Sequence, residues 1–187
     1  MNFFSDKPSG AWTLFLDRDG VINRRIPGGY VRSLEEFELL PGALDALVFF
    51  ASFFARIFIV SNQQGVGKGV MTSADVDRIH AHLKEQVLLR GGRVDGIYYC
   101  PALATEKAIC RKPSPGMALQ AKRTYPEVDF RRSVMAGDSL SDLIFARDLG
   151  MVPLFIETEP LRDQDCSGFY ALKFPSLSAL ATYIQQR

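Results

Sequence analysis

Asp17-Arg18-Asp19-Gly20 places two carboxylates two residues apart, directly after the apolar run Trp12 to Leu16. Acids so spaced can divide their labour: one attacks an electrophile while the other supplies and later removes a proton. The pair would repel itself unless a cation sat between the acids and a ligand, so a divalent metal is implied. An acidic turn after a strand looks the same, and other groups have to decide between the two. Ser61 follows the run Ile57 to Val60 and offers a hydroxyl donor, with the glycine-rich stretch Asn62 to Gly69 behind it. Lys112, between Arg111 and Pro113, precedes a predicted helix and can neutralise phosphate charge. Gly137-Asp138-Ser139-Leu140-Ser141-Asp142 adds two more acids, and carboxylate, phosphate and water oxygens are the ligand set magnesium prefers.

The elements that must position these groups alternate in type. Trp12–Leu16, Arg56–Val60, Asp95–Cys100, Ser133–Gly137 and Val152–Ile156 read as short, continuously apolar strands. Between them lie helical patterns. One opens at Pro41-Gly42 and runs to about Phe53, and one is capped by Thr72 or Ser73 with Val76, Ile79, Leu83 and Val87 in register and Gly91-Gly92 at its end. Two more start at Pro115 and at about Leu140. Glu157 to Gly168 reads as a polar surface loop before a last strand and helix ending near Arg187. Apolar strands alternating with helices imply a parallel sheet covered on both faces, a doubly wound α/β domain. Ligands of such sheets bind beyond the carboxyl ends of the strands. Asp17, Ser61 and Asp138 each follow a predicted strand, so they are expected to converge.

The 187 residues suit a single domain, 1–187, with 47% apolar and 23% charged residues. A formal net charge of +1, with no basic stripe, argues against nucleic acid as a partner. Met1 to Gly10 lacks a signal-peptide core, and the apolar stretch Leu44 to Val60 is broken and too short to span a membrane. Three cysteines, Cys100, Cys110 and Cys166, do not suggest a disulfide scaffold and fit a reducing, cytoplasmic setting. A monomer is expected.

Taken in order, the four groups resemble the four signature motifs of the haloacid dehalogenase superfamily of phosphotransferases. Asp17 to Asn23 resembles the first motif in its phosphatase form, Ser61-Asn62-Gln63 the second, Cys110-Arg111-Lys112-Pro113 the third, and Gly137 to Asp142 the fourth. Gly29-Tyr30-Val31, Asn62 to Gly65, Gly96 to Pro101 and Arg111 to Met117 are similar to the branch that holds heptose bisphosphate and histidinol-phosphate phosphatases. The resemblance implies that Asp17 is the nucleophile that becomes a phosphoaspartate, and that Asp19 is the acid and base. It also implies that Ser61 and Lys112 hold the phosphoryl oxygens. Magnesium would be held by Asp17, the main-chain carbonyl of Asp19, and Asp138, with Asp142 behind these ligands. Asn62, Arg111 and the loop Pro27-Gly28-Gly29-Tyr30 would face the rest of a small phosphorylated metabolite. A heptose 1,7-bisphosphate, cleaved at its 7-phosphate, is the expected substrate. Histidinol phosphate is the rival, and a catalytically silent module of the same fold is the alternative from another class.

The chain departs from the branch at two places. The branch carries a structural zinc site, but Ala102 and Ala108 stand where two of its ligands are expected, leaving Cys100 and Cys110. Two ligands are too few for a closed tetrahedral site, so no zinc is expected, the alternative being a site completed by another residue such as Glu106, and the span Pro101 to Ile109 has little else to order it. His80 and His82 read as surface or packing residues. Ser139 stands where the heptose enzymes often have lysine. The motif spacing leaves no room for a large cap domain.

Overall fold

The structure, a computed structural model, describes residues 12–157 and 166–186. The reading of Met1 to Gly10 and most of the expected loop after Glu157 fall outside the described residues. Six parallel strands form one sheet: β1 (Thr13–Leu16), β2 (Arg56–Asn62), β3 (Gly96–Cys100), β4 (Ser133–Gly137), β5 (Val152–Ile156) and β6 (Leu172–Phe174). Their order is β3-β2-β1-β4-β5-β6, so the direction of winding reverses between β1 and β4. The helices are α1 (Ala43–Phe53), α2 (Gln64–Gly67), α3 (Ser73–Leu89), α4 (Gly116–Thr124), α5 (Leu140–Leu149) and α6 (Leu177–Gln185).

Successive strand residues face opposite sides, and each side has its own apolar layer. Leu14, Leu16, Ile57, Ile59, Val134 and Ala136 pack on one face with Leu47 and Phe50 of α1, Ile79 and Leu83 of α3, and Leu180 of α6. Phe15, Phe58, Val60 and Met135 pack on the other with Met117 and Ala121 of α4 and Phe145 of α5. A strand covered on both faces has no polar alternation, which is why β1 and β4 are apolar after their first residues, Thr13 and Ser133.

Two expectations are corrected here. The second strand runs to Asn62 rather than Val60, so Ser61 lies within it and pairs in register with Tyr99. The stretch after it is not loose backbone, since Gln64–Gly67 forms the short helix α2. Thr72 caps α3, taking the Asp75 amide while the Asp75 carboxylate takes the Thr72 amide. Between β1 and β2 the described chain holds only a loop and α1, with no cap domain.

Candidate active site

The loop after β1 turns at once. The Asp17 amide donates to the Ala136 carbonyl of β4, Ile22 N donates to Arg18 O, and Gly20 N donates to Asn23 O at 2.7 Å. Gly20 has φ +90°, and a Cβ there would fall 2.2 Å from Asp138 Oδ2, so this position needs both the conformation and the absent side chain of glycine. Gly137 is similarly tight, with Asp142 Cβ 2.2 Å from where its Cβ would stand. The first approach brings the β1 and β4 loops together at the point where the winding reverses, the crevice in which open α/β sheets bind ligands, and the second tightens the turn from β4 into α5.

Lys112 is 3% exposed and lies at the centre. Its Nζ donates to Asp17 Oδ1 at 2.7 Å and to the Val60 carbonyl at 2.6 Å, and stands 2.6 Å from Asp142 Oδ1. Burial works against its charge, but Asp142 and Asp17 outweigh that and raise its pKa. Burial pushes Asp17 up to about 6, with Asp142 adding to the rise and Lys112 opposing it. Asp19 goes the other way. Burial raises its pKa, yet Arg18, helped by hydrogen bonds from Asn23 and Gln63, holds it below the usual carboxylate range. Arg18 Nη2 lies 2.9 Å from both Asp19 oxygens, Asn23 Nδ2 donates to Oδ1 at 2.9 Å, and Gln63 Nε2 donates to Oδ2 at 2.7 Å. Two carboxylates two residues apart are thus shifted in opposite directions, Asp17 up and Asp19 down.

The structure brings Asp17, Asp19, Ser61, Asn62, Arg111, Lys112, Gly28, Gly29 and Tyr30 to the wall of one cavity of about 540 Å³. Pro27 is in the same loop but not on that wall. Asn62 spends both ends of its amide on Lys112, donating to its carbonyl at 3.1 Å and accepting from its amide at 3.0 Å. Its contribution is therefore to fix the lysine's main chain, alongside any contact with a ligand. Ser61 Oγ accepts from Gln63 Nε2 at 2.7 Å. Ser139 accounts for its own place: Asp142 Oδ2 accepts from its amide and hydroxyl, forming the capping box of α5.

One carboxylate oxygen each from Asp17, Asp138 and Asp142 can lie within 4.8 Å of one another, a donor set of hard oxygens that fits magnesium. A side chain marks the cation position. Arg25 Nη2 donates to Asp138 Oδ1 at 2.6 Å and to the Asp19 carbonyl at 3.2 Å, two of the expected ligand atoms. Arg25 lies over Asp138, and it is Arg25 rather than Asp138 that lines the cavity. Sequence reasoning missed Arg25, Gln63 and Lys68, the last of which reaches the wall with Nζ 5.3 Å from the Tyr30 ring centre. Only the glycine-rich context of Lys68 hinted at a ligand-facing loop.

Cys100 and Cys110 are joined as a disulfide across the loop expected to lack order, with Cα atoms 5.3 Å apart. The reading of the cysteines as unbridged is corrected by this pair. The loop they flank turns back on itself through a short 3₁₀ turn at Ala104–Glu106, where Glu106 accepts from the Leu103 amide at 2.9 Å.

A parallel sheet whose switch point carries paired acids, a buried lysine and a magnesium-type carboxylate cluster defines a haloacid dehalogenase-like phosphohydrolase. The family model of HAD-hydrolase-like proteins matches residues 109–173. The chain is 44% identical over 145 residues to the D-glycero-alpha-D-manno-heptose-1,7-bisphosphate 7-phosphatase of Mycobacterium bovis, covering 78% of this chain and 76% of that protein. It is 37% identical over 132 residues to the corresponding beta-heptose enzyme of Helicobacter pylori, covering 70% and 74%. The crystal structure of D,D-heptose 1,7-bisphosphate phosphatase from B. bronchiseptica, complexed with magnesium and phosphate, superposes with a TM-score of 0.83 at 31% identity, covering 94% of this chain and 98% of that one. The chain belongs to the haloacid dehalogenase-like hydrolase family that these relatives share, and it is a magnesium-dependent phosphatase. No described helix is long and apolar enough to cross a membrane.

Proposed function

We propose that the enzyme removes the 7-phosphate of D-glycero-α-D-manno-heptose 1,7-bisphosphate through a phosphoaspartate on Asp17. The observation that carries this reading is the charge of the cavity: beyond Lys112, its wall presents Lys68, Arg111 and Arg25. Lys112, paired with Asp17 and Asp142, and Arg25, paired with Asp138, answer acids of the site, which leaves Lys68 and Arg111 on the wall to suit a second phosphate. They disfavour histidinol phosphate, whose own ammonium group would face them. Similarity at 44% identity to the alpha-heptose enzyme of Mycobacterium bovis supports the α-anomer.

The residues divide the reaction as follows. Asp17 has one oxygen held by Lys112, and its other oxygen attacks phosphorus in line as the bond from phosphorus to the sugar oxygen breaks. Asp19 gives its proton to the departing sugar oxygen. Water then attacks the phosphoaspartate, passes a proton to Asp19, and inorganic phosphate leaves with Asp17 restored. In the resting site Asp19 is ionised, the form needed for the second step, and the dianionic ester draws a proton onto it on entry. Lys112 and the Ser61 hydroxyl meet the phosphoryl oxygens, where fixed charge and donors lower the barrier most. Asp17, Asp138 and the Asp19 carbonyl would hold magnesium, which would supply the charge that lets a phosphate dianion approach these carboxylates.

A panel of the two heptose bisphosphate anomers, heptose 7-phosphate and histidinol phosphate tests the substrate, with the product assigned by phosphorus NMR. The α-bisphosphate should give the largest kcat/KM and leave heptose 1-phosphate. A larger value for histidinol phosphate would sink the reading. Asp17→Asn should abolish turnover of every substrate without unfolding the protein, and a silent module would show no turnover in the parent protein either.

A further inference from the structure

Arg18 is fully buried, although nothing in the reaction as described requires an arginine there. A guanidinium removed from water must have its N–H groups answered by acceptors, or it costs several kcal/mol. Its Nε and Nη2 face the carboxylate of Asp19, at 3.3 and 2.9 Å. Its Nη1 lies 3.0 Å from Nε2 of His80, a residue of α3. The guanidinium can only donate, so His80 Nε2 accepts and the ring is neutral with its proton on Nδ1. Burial, reinforced by the Arg18 charge, depresses the His80 pKa to about 3, in keeping with a ring that does not titrate in use.

His80 is itself fixed. It belongs to the buried stripe of α3 with Val76, Ile79 and Leu83, and its ring meets Tyr99 of β3 edge-on at 5.6 Å. The position of α3 is therefore passed through His80 to one edge of the Arg18 fork, and through the other edge to Asp19. Asn23 and Gln63 add one bond each to the same carboxylate but come from the two loops that shape the cavity. Among the described residues, Arg18 alone of the three donors is anchored in turn by a side chain of the helix layer, His80 of α3.

We infer that His80 is a positioning residue for catalysis: through Arg18 it holds the carboxylate of Asp19 at the angle from which it protonates the leaving group. The inference rests on the acid–base reading of Asp19 proposed above. Without an acceptor at His80, Nη1 is left unanswered in a dry pocket, the guanidinium turns to find another partner, and Asp19 turns with it. A displacement of about 1 Å in a proton-transfer group costs on the order of a hundredfold in rate.

The test uses the full chain with magnesium and two kinds of ester. The heptose bisphosphate has an alkoxide leaving group that needs a proton, whereas p-nitrophenyl phosphate has one that does not. In single-turnover reactions His80→Leu should lower the rate of sugar release by about ten- to hundredfold, and the rate of the nitrophenolate burst by less than about threefold. His80→Gln, whose Oε1 reaches the place of Nε2, should restore the sugar-phosphate rate to within about threefold of the parent. If His80→Leu does not fold, His80→Asn takes its place, because its amide stops short of Arg18. Equal losses in the two leaving-group release rates, an unchanged rate of sugar release, or a folded Gln variant that recovers nothing would overturn the inference. Asp19→Asn separates the two claims: with the aryl phosphate it should release one nitrophenolate per site and stall. Continued turnover there would mean that the reading of Asp19 is wrong, whatever His80 does.

Discussion

Replacing Lys112 with methionine keeps the stem of the side chain and removes the charge, which tests how the buried site is balanced. Asp17 and Asp142 are 7% and 0% exposed, and both depend on Nζ at 2.7 and 2.6 Å. Removing one partner from a buried pair costs about 3–5 kcal/mol, because the remaining charge is left in a dry site. Asp17 can limit that cost by taking a proton. Its pKa is already about 6 through burial, and Lys112 was holding it down, so in the variant it rises further. A group whose folded pKa lies above its unfolded value stabilises the fold at low pH and loses that contribution as pH rises through the folded value. The deficit of Lys112→Met should therefore be larger at pH 8 than at pH 5. At about 3 kcal/mol near neutrality, it corresponds to a fall in Tm of roughly 6–12 °C for a chain of this size. Thermal melts of both proteins in chelator at the two pH values measure it, and kcat/KM should fall by at least about a hundredfold with the phosphoryl cation gone. A stability gap that is absent, or widest at pH 5, would refute the reasoning.

Magnesium binding must displace the Asp17 proton once the pH falls below its pKa of about 6. The apparent affinity should then weaken by about tenfold per pH unit below that point and level off above it, with proton release visible by calorimetry in buffers of different ionisation enthalpy. Gly20→Ala sets a methyl 2.2 Å from Asp138 Oδ2 and should weaken magnesium binding by about 10–100-fold as that carboxylate is pushed aside, again read by calorimetry. Reducing the bridge between Cys100 and Cys110 should raise the thiol count of the denatured protein from one to three, and should lower stability by about 3 kcal/mol for a loop of this length.

The parts of this molecule legible in its sequence are those fixed by burial on a parallel sheet. β1 and β4 announce themselves because both faces are covered, and the convergence of Asp17 with Asp138 follows from the rule that strands of such a sheet end on one edge. Ser61 and Asn62 looked like residues beyond a strand because the apolar run stops at Val60. Polar side chains at the functional edge end the pattern before the backbone leaves the ladder. The helix Gln64–Gly67 was invisible, since four residues with two glycines hold no period. The burial of His80 was written in its spacing from Val76 and Leu83, but its partner was not, because that depends on how α3 lies across the β1 loop. Arg25, Gln63 and the Cys100–Cys110 bridge are likewise set by loop closure rather than by any local signal.

Strand β1 sits between β2 and β4, so the first described strand is finished only by one from the far half of the chain. During synthesis Asp17 and Asp19 emerge early and then wait, without Lys112 beside them or Asp138 across from them. β1, β2 and β3 can pair as soon as Cys100 is made, yet closing β4 onto β1 spans the longest loop in the site and carries the largest entropic cost. A nascent chain therefore holds a half-built sheet with an inert acidic turn. The ability to retain magnesium arrives at one late moment, when Asp138 and Asp142 leave the ribosome and dock. Metal retention is in this sense a timestamp of completed folding, and a chain stalled before Asp138 would carry the proposed nucleophile but no means of using it.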